Sequence, residues 1–306
     1  MRAEIEKASK RIAGYVRTTP IMQLEAGIWG LDGQVTLKFE QLQHTASFKP
    51  RGAFNRILSN TVPEAGVIAA SGGNHGIAVA YAARRLGHRA EIFVPEVCSL
   101  VKIERLRNYG AQVSIVGADY AEALATSQVR AAQTGALVVH AYDQPEVVAG
   151  QGTLGYEFAQ QAPELDTILV AVGGGGLIGG LAAWFAGTVR VVGVEPESAP
   201  SLARALDAGE PVDVEVSGVA VDSLGARRAG QLAFTLAQQY VERVVLVSDD
   251  SIRAAQRTLW NDLRIVAEPG GATATAALLS GAYQPAPGER VGVVICGGNA
   301  DLAALL

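Results

Sequence analysis

One amine stands out for where the sequence places it. Lys49 lies in the run Ser47-Phe48-Lys49-Pro50-Arg51-Gly52, between an aromatic ring and a proline. Pro50 presets its own φ, lacks an N–H and suits the first turn of a helix. That helix is expected over Pro50–Leu58, with Ser47 as its N-cap. A helix start disfavours positive charge, and Phe48 lowers the local dielectric. Both effects favour a neutral, nucleophilic amine of the kind that forms a Schiff base. A lone lysine is more often a solvated surface charge, so the other chemistry-bearing stretches decide the matter.

Three glycine-rich loops each follow an apolar run. Gly173 to Gly176 stand between a strand and a helix that begins at Leu177, where backbone N–H groups can converge on an anion. Two ligands fit this loop. One is a simple phosphate; the other is a dinucleotide, because Gly174-x-Gly176-x-x-Gly179 is followed by Glu195 about 20 residues on. Ser71-Gly72-Gly73-Asn74-His75-Gly76 can hold a carboxylate or a phenolate oxygen with its N–H groups and the Asn74 amide, or can be a tight turn with a helix cap. His75 by itself reads as a satisfied structural histidine rather than a base. Cys296-Gly297-Gly298-Asn299 closes the last apolar run, and a buried cysteine before a turn is the commoner arrangement. The other histidines, 44, 88 and 140, show no metal-ligand spacing. No G-x-S-x-G nucleophile elbow occurs.

The elements that must hold these loops alternate. Strands are expected at Val35–Phe39, Val67–Ala70, Ala90–Val94, Gln112–Val116, Leu137–Ala141, Thr167–Val172, Val189–Val194, Arg243–Val247 and Val291–Ile295. Helices are expected over 3–15, Gly76–Leu86, Leu100–Tyr109, Tyr120–Gln133, 146–160, 177–185, 227–239, 250–262 and 271–280. Short apolar strands between helices mean parallel sheets covered on both faces, either as one barrel or as two open sheets. In both, ligands gather beyond the carboxyl ends of strands.

Composition narrows the function classes. The 306 residues are 49% hydrophobic and 18% charged, which argues against disorder. The net charge of −5 and the lack of a basic run argue against nucleic acid as a partner. Cys98 and Cys296 read as free thiols of a reducing cytoplasm. The N-terminus is charged throughout and lacks the apolar core of a signal peptide. Between Asp166 and Arg190 lie 23 uncharged residues, long enough to span a bilayer. Seven glycines from Ile168 to Gly187 make a strand, loop and helix the better reading, with no membrane partner.

Taken together the stretches resemble the pyridoxal-phosphate-dependent serine/threonine dehydratases (ammonia-lyases) of fold type II, the group that includes serine racemase. The resemblance rests on the lysine run, Ser71–His75, Ala149-Gly150-Gln151-Gly152-Thr153, Gly173–Leu177, Gly193-Val194-Glu195-Pro196, Glu268-Pro269 and Cys296–Asn299. These occur in the family's order over nearly the whole chain. It implies an α/β fold of two open, twisted, mostly parallel sheets flanked by helices, with the cofactor in the cleft between lobes. Residues 1–65 and 144–306 would form the large lobe and 66–143 a small mobile one.

The roles it implies are specific. Lys49 would carry pyridoxal 5'-phosphate as a Schiff base and, once freed, act as base on the substrate Cα. Phe48 would pack near the ring, Asn74 would hydrogen-bond the phenolic oxygen, and Cys296 would face the pyridine nitrogen. Gly173, Gly174, Gly175, Gly176 and Leu177 would cradle the phosphate, and Ser71, Gly72, Gly73, Asn74 and His75 would clamp the substrate carboxylate. The implied reaction takes L-threonine or L-serine to a 2-oxo acid and ammonia in a cytoplasmic homodimer or homotetramer.

Three positions depart from relatives. Gly72 stands where Ser or Ala is usual, with Ser serving the second face of Cα in the racemases. Cys296 often has Ser as its counterpart. Ser201 replaces an aspartate that joins Glu195 and Ala199 around a divalent cation in some relatives, so metal binding is not expected. The chain stops soon after Asn299, so a regulatory C-terminal domain and inhibition by isoleucine are not expected either. Alternatives are a dehydratase or racemase of another β-hydroxy amino acid such as hydroxyaspartate or phenylserine, a dinucleotide-dependent oxidoreductase, and a non-catalytic amino acid sensor.

Overall fold

Apolar runs that are buried on every residue become the inner strands of two separate sheets. The computed structural model describes residues 1–301. The strands are β1 (Ile21–Gln23), β2 (Gln34–Phe39), β3 (Val67–Ala70), β4 (Ala90–Val94), β5 (Gln112–Ile115), β6 (Leu137–Val138), β7 (Thr167–Ala171), β8 (Arg190–Pro196), β9 (Val241–Val247) and β10 (Arg290–Ile295). The helices are α1 (Arg2–Ile12), α2 (Lys49–Leu58), α3 (Asn74–Arg85), α4 (Leu100–Asn108), α5 (Tyr120–Thr134), α6 (Pro145–Gln161), α7 (Gly176–Phe185), α8 (Ser201–Ala208), α9 (Val221–Leu224), α10 (Gln231–Tyr240), α11 (Asp249–Leu263) and α12 (Pro269–Leu279).

One sheet has six strands in the order β1-β2-β10-β7-β8-β9, and the other has four in the order β5-β4-β3-β6. Every pairing is parallel except β1 with β2. This decides between barrel and open sheets in favour of two open sheets, as the resemblance implies. β3 and β7 are buried throughout, which is why they read as unbroken apolar runs.

Several boundaries differ from expectation for physical reasons. The first helix ends at Ile12 rather than residue 15, because Gly14 takes a left-handed φ of 83°. The strand expected over Leu137–Ala141 pairs only at Leu137 and Val138, where β3 runs beside it. Ser47 is not the N-cap of α2: Phe48 holds that position, and the Ser47 hydroxyl has no hydrogen-bond partner among the described residues. The uncharged stretch 167–189 holds β7, a glycine loop and the ten-residue α7. Among the described residues no helix is long and apolar enough to cross a membrane.

Two large apolar clusters follow the two sheets. The apolar residues of α2, Ala53, Phe54 and Ile57, pack into the cluster of the four-stranded sheet. The same helix also lies along α6. A Cβ on Gly150 of α6 would stand 2.5 Å from the Arg51 carbonyl oxygen and 2.7 Å from the Gly52 Cα, so glycine is what allows this approach. The helix that begins at Lys49 is thereby set between the two halves.

Candidate active site

Lys49 opens α2, and its Nζ donates to the Ala141 carbonyl oxygen at 3.0 Å. Its amine lies 5.0 Å from the centre of the Phe48 ring. Burial pulls Lys49 down to about 8, with nearby Glu268 opposing the shift. The chain has five lysines, at 7, 10, 38, 49 and 102. Lys7, Lys38 and Lys102 are ion-paired with Glu4, Glu157 and Asp222, and Lys10 is exposed on α1. Lys49 alone among them lines the pocket between the sheets.

The first turn of α2 is fixed from below by buried charge. Arg51 donates through Nε and Nη2 to the two Glu40 oxygens at 2.8 and 2.7 Å, and through Nη2 to Glu157 at 2.9 Å. Lys38 donates to the Thr19 carbonyl oxygen at 2.7 Å and pairs with Glu157. Two cations thus meet two carboxylates, the condition under which buried charges are tolerated.

The pocket is lined by Phe48, Lys49, Asn74, Tyr142, Ala171, Gly173 to Gly176, Leu177, Ser223, Leu224, Glu268 and Cys296. It lies at the carboxyl ends of the neighbouring strands β7 and β10. The expected residues of the lysine, phosphate-loop and cysteine stretches therefore come together, from segments far apart in sequence.

The glycine loop is a cup with no room for side chains. A Cβ on Gly174 would stand 2.2 Å from Cδ1 of Tyr142, one on Gly176 would stand 2.9 Å from the Tyr142 Cα, and Gly175 takes φ +88°. No side chain caps the start of α7, so its first N–H groups face the cup as an anion site would require. These groups fit a monophosphate. They do not fit the dinucleotide reading, because Glu195, the expected ribose ligand, accepts from Leu202 N at 2.8 Å and Ala203 N at 2.9 Å and so caps α8.

The same capping bears on a divalent cation at Glu195, Ala199 and Ser201. Burial pushes the Glu195 carboxyl up to about 7, and the Ser201 hydroxyl donates to the Gly173 carbonyl oxygen at 3.0 Å. Among the described residues no cluster of three His, Cys, Asp or Glu side chains stands ready for a metal. The Glu195 carboxyl and the Ser201 hydroxyl are thus both engaged by groups of the protein itself.

Cys296 is buried, and its Sγ donates to the Gly270 carbonyl oxygen at 3.4 Å. Burial, and then the Glu268 charge, push this thiol above its usual range, so it stays neutral. It suits a ring nitrogen that is not to be fully protonated. Cys98 is also a free thiol.

Of the stretch Ser71 to His75, Asn74 alone lines the pocket. Gly73 N donates to the Ser71 hydroxyl at 3.2 Å, and a Cβ on Gly72 would run into Cys98. His75 Nε2 lies 2.8 Å from the Val139 carbonyl oxygen, so it carries the proton. Burial pulls His75 down to about 3, which makes it a neutral structural side chain.

Sequence reasoning assigned no role to Glu268, Ser223 or Leu224. Glu268 was visible only as part of the Glu268-Pro269 motif. It is buried at the mouth of α12 and accepts from Asn74 Nδ2 at 2.6 Å. Burial pushes it up to about 7, against the Asn74 hydrogen bond and the Arg105 charge. Ser223 and Leu224 lie on the four-residue α9, which left no periodic signal. A wider groove of about 550 Å³ between Ile21, Met22, Phe39, Leu42, Arg264 and Ile265 offers no amine, thiol or carboxylate.

Comparison with known proteins adds four relationships. The family model described as "Pyridoxal-phosphate dependent enzyme" matches residues 12–297. A phenylserine dehydratase from Ralstonia pickettii is 38% identical, over 96% of this chain and 91% of that protein. An L-threonine ammonia-lyase from Thermotoga maritima is 37% identical, over 98% of this chain and 75% of that protein. The structure of maize serine racemase superposes with a TM-score of 0.93 at 32% identity, over 99% of this chain and 95% of that one.

Proposed function

Because the chain belongs to the pyridoxal-phosphate-dependent enzyme family, we propose that it is an ammonia-lyase that converts L-threonine, L-serine or both to 2-oxobutanoate or pyruvate plus ammonia. One observation carries the reading: the single pocket-lining lysine, Lys49, meets the glycine cup, the Asn74 amide and the Cys296 thiol in one place. When bound there, pyridoxal phosphate supplies an electron sink for the substrate α-carbon.

The chain's own residues do the rest. N–H groups of the cup from Gly173 to Gly176 and the first turn at Leu177 hold the phosphate. Phe48 and Asn74 orient the ring, and the Cys296 thiol gives its nitrogen a neutral partner. Lys49, held near 8 by burial, anchors the cofactor and then moves a proton at the substrate Cα. The N–H groups of Gly72, Asn74 and His75 receive the substrate carboxylate, those of Ser71 and Gly73 being held by the Phe93 carbonyl and the Ser71 hydroxyl. Residues 66–143 act as a small lobe whose closure on 1–65 and 144–301 excludes water. The protein works as a cytoplasmic homo-oligomer.

A second reading concerns only the substrate. The relative at 38% identity is a phenylserine dehydratase, which favours a larger β-substituent as an alternative to the methyl group of threonine. A 2-oxo acid assay across serine, threonine, hydroxyaspartate and phenylserine tests both. Turnover of threonine or serine at the highest kcat/KM supports the first reading, and a preference for phenylserine supports the second. No 2-oxo acid from any of them contradicts the lyase assignment and leaves an amino acid sensor.

A further inference from the structure

Two peptide units of the glycine cup stand between glycines on both sides, Gly173–Gly174 and Gly174–Gly175. With no Cβ at either end, backbone sterics do not choose between such a unit and its reverse. A trans peptide points its C=O and its N–H in opposite directions. A group that holds a carbonyl oxygen of this loop outward therefore turns the next N–H inward. The reversed unit would meet an anion with an oxygen instead of a donor.

Each of the two carbonyl oxygens has one donor among the described residues. The Gly174 oxygen accepts from Gly230 N at 3.1 Å, just before α10. That donor is main chain. Its helix is tied down in turn by Asp143, whose oxygens accept from Gln231 N at 3.1 Å and Leu232 N at 2.9 Å. The Gly173 oxygen accepts from the Ser201 hydroxyl at 3.0 Å. Ser201 opens α8, has no exposed surface and is not among the residues around the pocket. A hydroxyl carries one proton. Glu195 Oε1, at 3.3 Å, is the other acceptor in reach, and it already takes Leu202 N at 2.8 Å. The shorter contact, to a carbonyl with no other donor, is where that proton goes. One unit of the cup is thus fixed by backbone and the other by a single side chain.

We propose that Ser201 is a positioning residue for the cofactor phosphate: by holding the Gly173 carbonyl oxygen outside the cup, it presents the Gly174 N–H to the phosphate. This deepens the reading above, since it rests on the cup receiving that group. The polar contacts of the hydroxyl are Gly173 and Glu195 alone among the described residues. Its influence therefore reaches the phosphate and not the ring, which Lys49, Asn74 and Cys296 meet.

The test measures dissociation constants by equilibrium dialysis in protein freed of cofactor. Two ligands are compared: pyridoxal 5'-phosphate, and pyridoxal, which has the ring and aldehyde without the phosphate. Ser201→Ala should bind pyridoxal 5'-phosphate about tenfold or more weakly, the size of one hydrogen bond to a charged group. It should bind pyridoxal as the parent does. Ser201→Thr, which keeps the hydroxyl, should recover most of the loss. Parent-like affinity for both ligands in Ser201→Ala would overturn the proposal while leaving the lyase reading intact. Equal weakening of both ligands would also overturn it, because a merely structural residue does not single out the phosphate. So would a phosphate-specific loss in Ser201→Thr as large as in Ser201→Ala. Should Ser201→Ala not fold, Ser201→Cys replaces it, since a thiol is a weak donor. An unchanged ratio of the two affinities in Ser201→Cys then overturns the proposal. A parent protein that binds no pyridoxal 5'-phosphate would overturn the functional reading, and this inference with it.

Discussion

The sulfur of Cys98 stands over the Cα of Gly72, 2.7 Å from where a Cβ at that position would lie. The glycine is therefore matched to the thiol that packs against it. A racemase needs an acid–base group on each face of the planar carbon, and in the proposed reaction Lys49 serves one of them.

Little D-serine should form from L-serine, because Gly72 offers no proton to the second face. Gly72→Ser alone must push the thiol aside, an overpacking cost of about 1–3 kcal/mol. Gly72→Ser with Cys98→Ala should recover that stability and form more D-serine. Chiral chromatography of the product mixture reads this directly. Abundant D-serine from the unaltered protein would mean another group serves that face.

Arg51→Met should be among the most damaging single changes outside the pocket. Glu40 has no exposed surface, and the change strips its main cationic partner. The expected loss is about 3–5 kcal/mol, seen as a lower urea midpoint. Glu40→Gln added to Arg51→Met should restore part of it. An unchanged midpoint would mean the cluster does not hold α2.

Cys296→Ser should keep turnover, because a hydroxyl is also a neutral partner for a ring nitrogen. Its stability cost should stay under about 1.5 kcal/mol, the range of one buried hydrogen bond. Cys296→Asp should protonate the ring and change the balance between elimination and side reactions. Complete loss of activity with Ser would show that the thiol does something a hydroxyl cannot.

The pH dependence of stability should carry a mark of Lys49 in protein stripped of cofactor. Its folded value is about 8 against an unfolded 10.5, so the unfolded chain binds more protons between those limits. Stability from this group therefore rises with pH from about 8 to 10.5, and below 8 its full penalty persists. The unfolding free energy of wild type minus that of Lys49→Met should climb over that window. A flat difference would mean the amine is solvated in the folded protein.

Much of the frame was legible in local pattern. Val67–Ala70 and Ala90–Val94 are strands with the limits their apolar runs suggest. β1 escaped notice because three residues, Ile-Met-Gln, carry no period, and among the described residues it is the one antiparallel strand. The helix at Lys49 was visible through Pro50, yet its cap was not, since the Phe48 backbone joins the first turn. Lys49, the glycine cup and Cys296 could be read because each sits at the end of an element. The hold of Ser201 on Gly173 could not. The two residues lie 28 positions apart on separate segments, and only tertiary packing brings them within hydrogen-bond reach.

The most direct test of the account is where borohydride fixes the cofactor. Reduction of the yellow protein followed by intact-mass and peptide analysis should place one reduced pyridoxyl phosphate on Lys49, among only five lysines in the chain. Lys49→Ala should fold, carry no adduct and form no 2-oxo acid. An adduct on Lys7, Lys10, Lys38 or Lys102 in the unaltered protein, or turnover by Lys49→Ala, would contradict it.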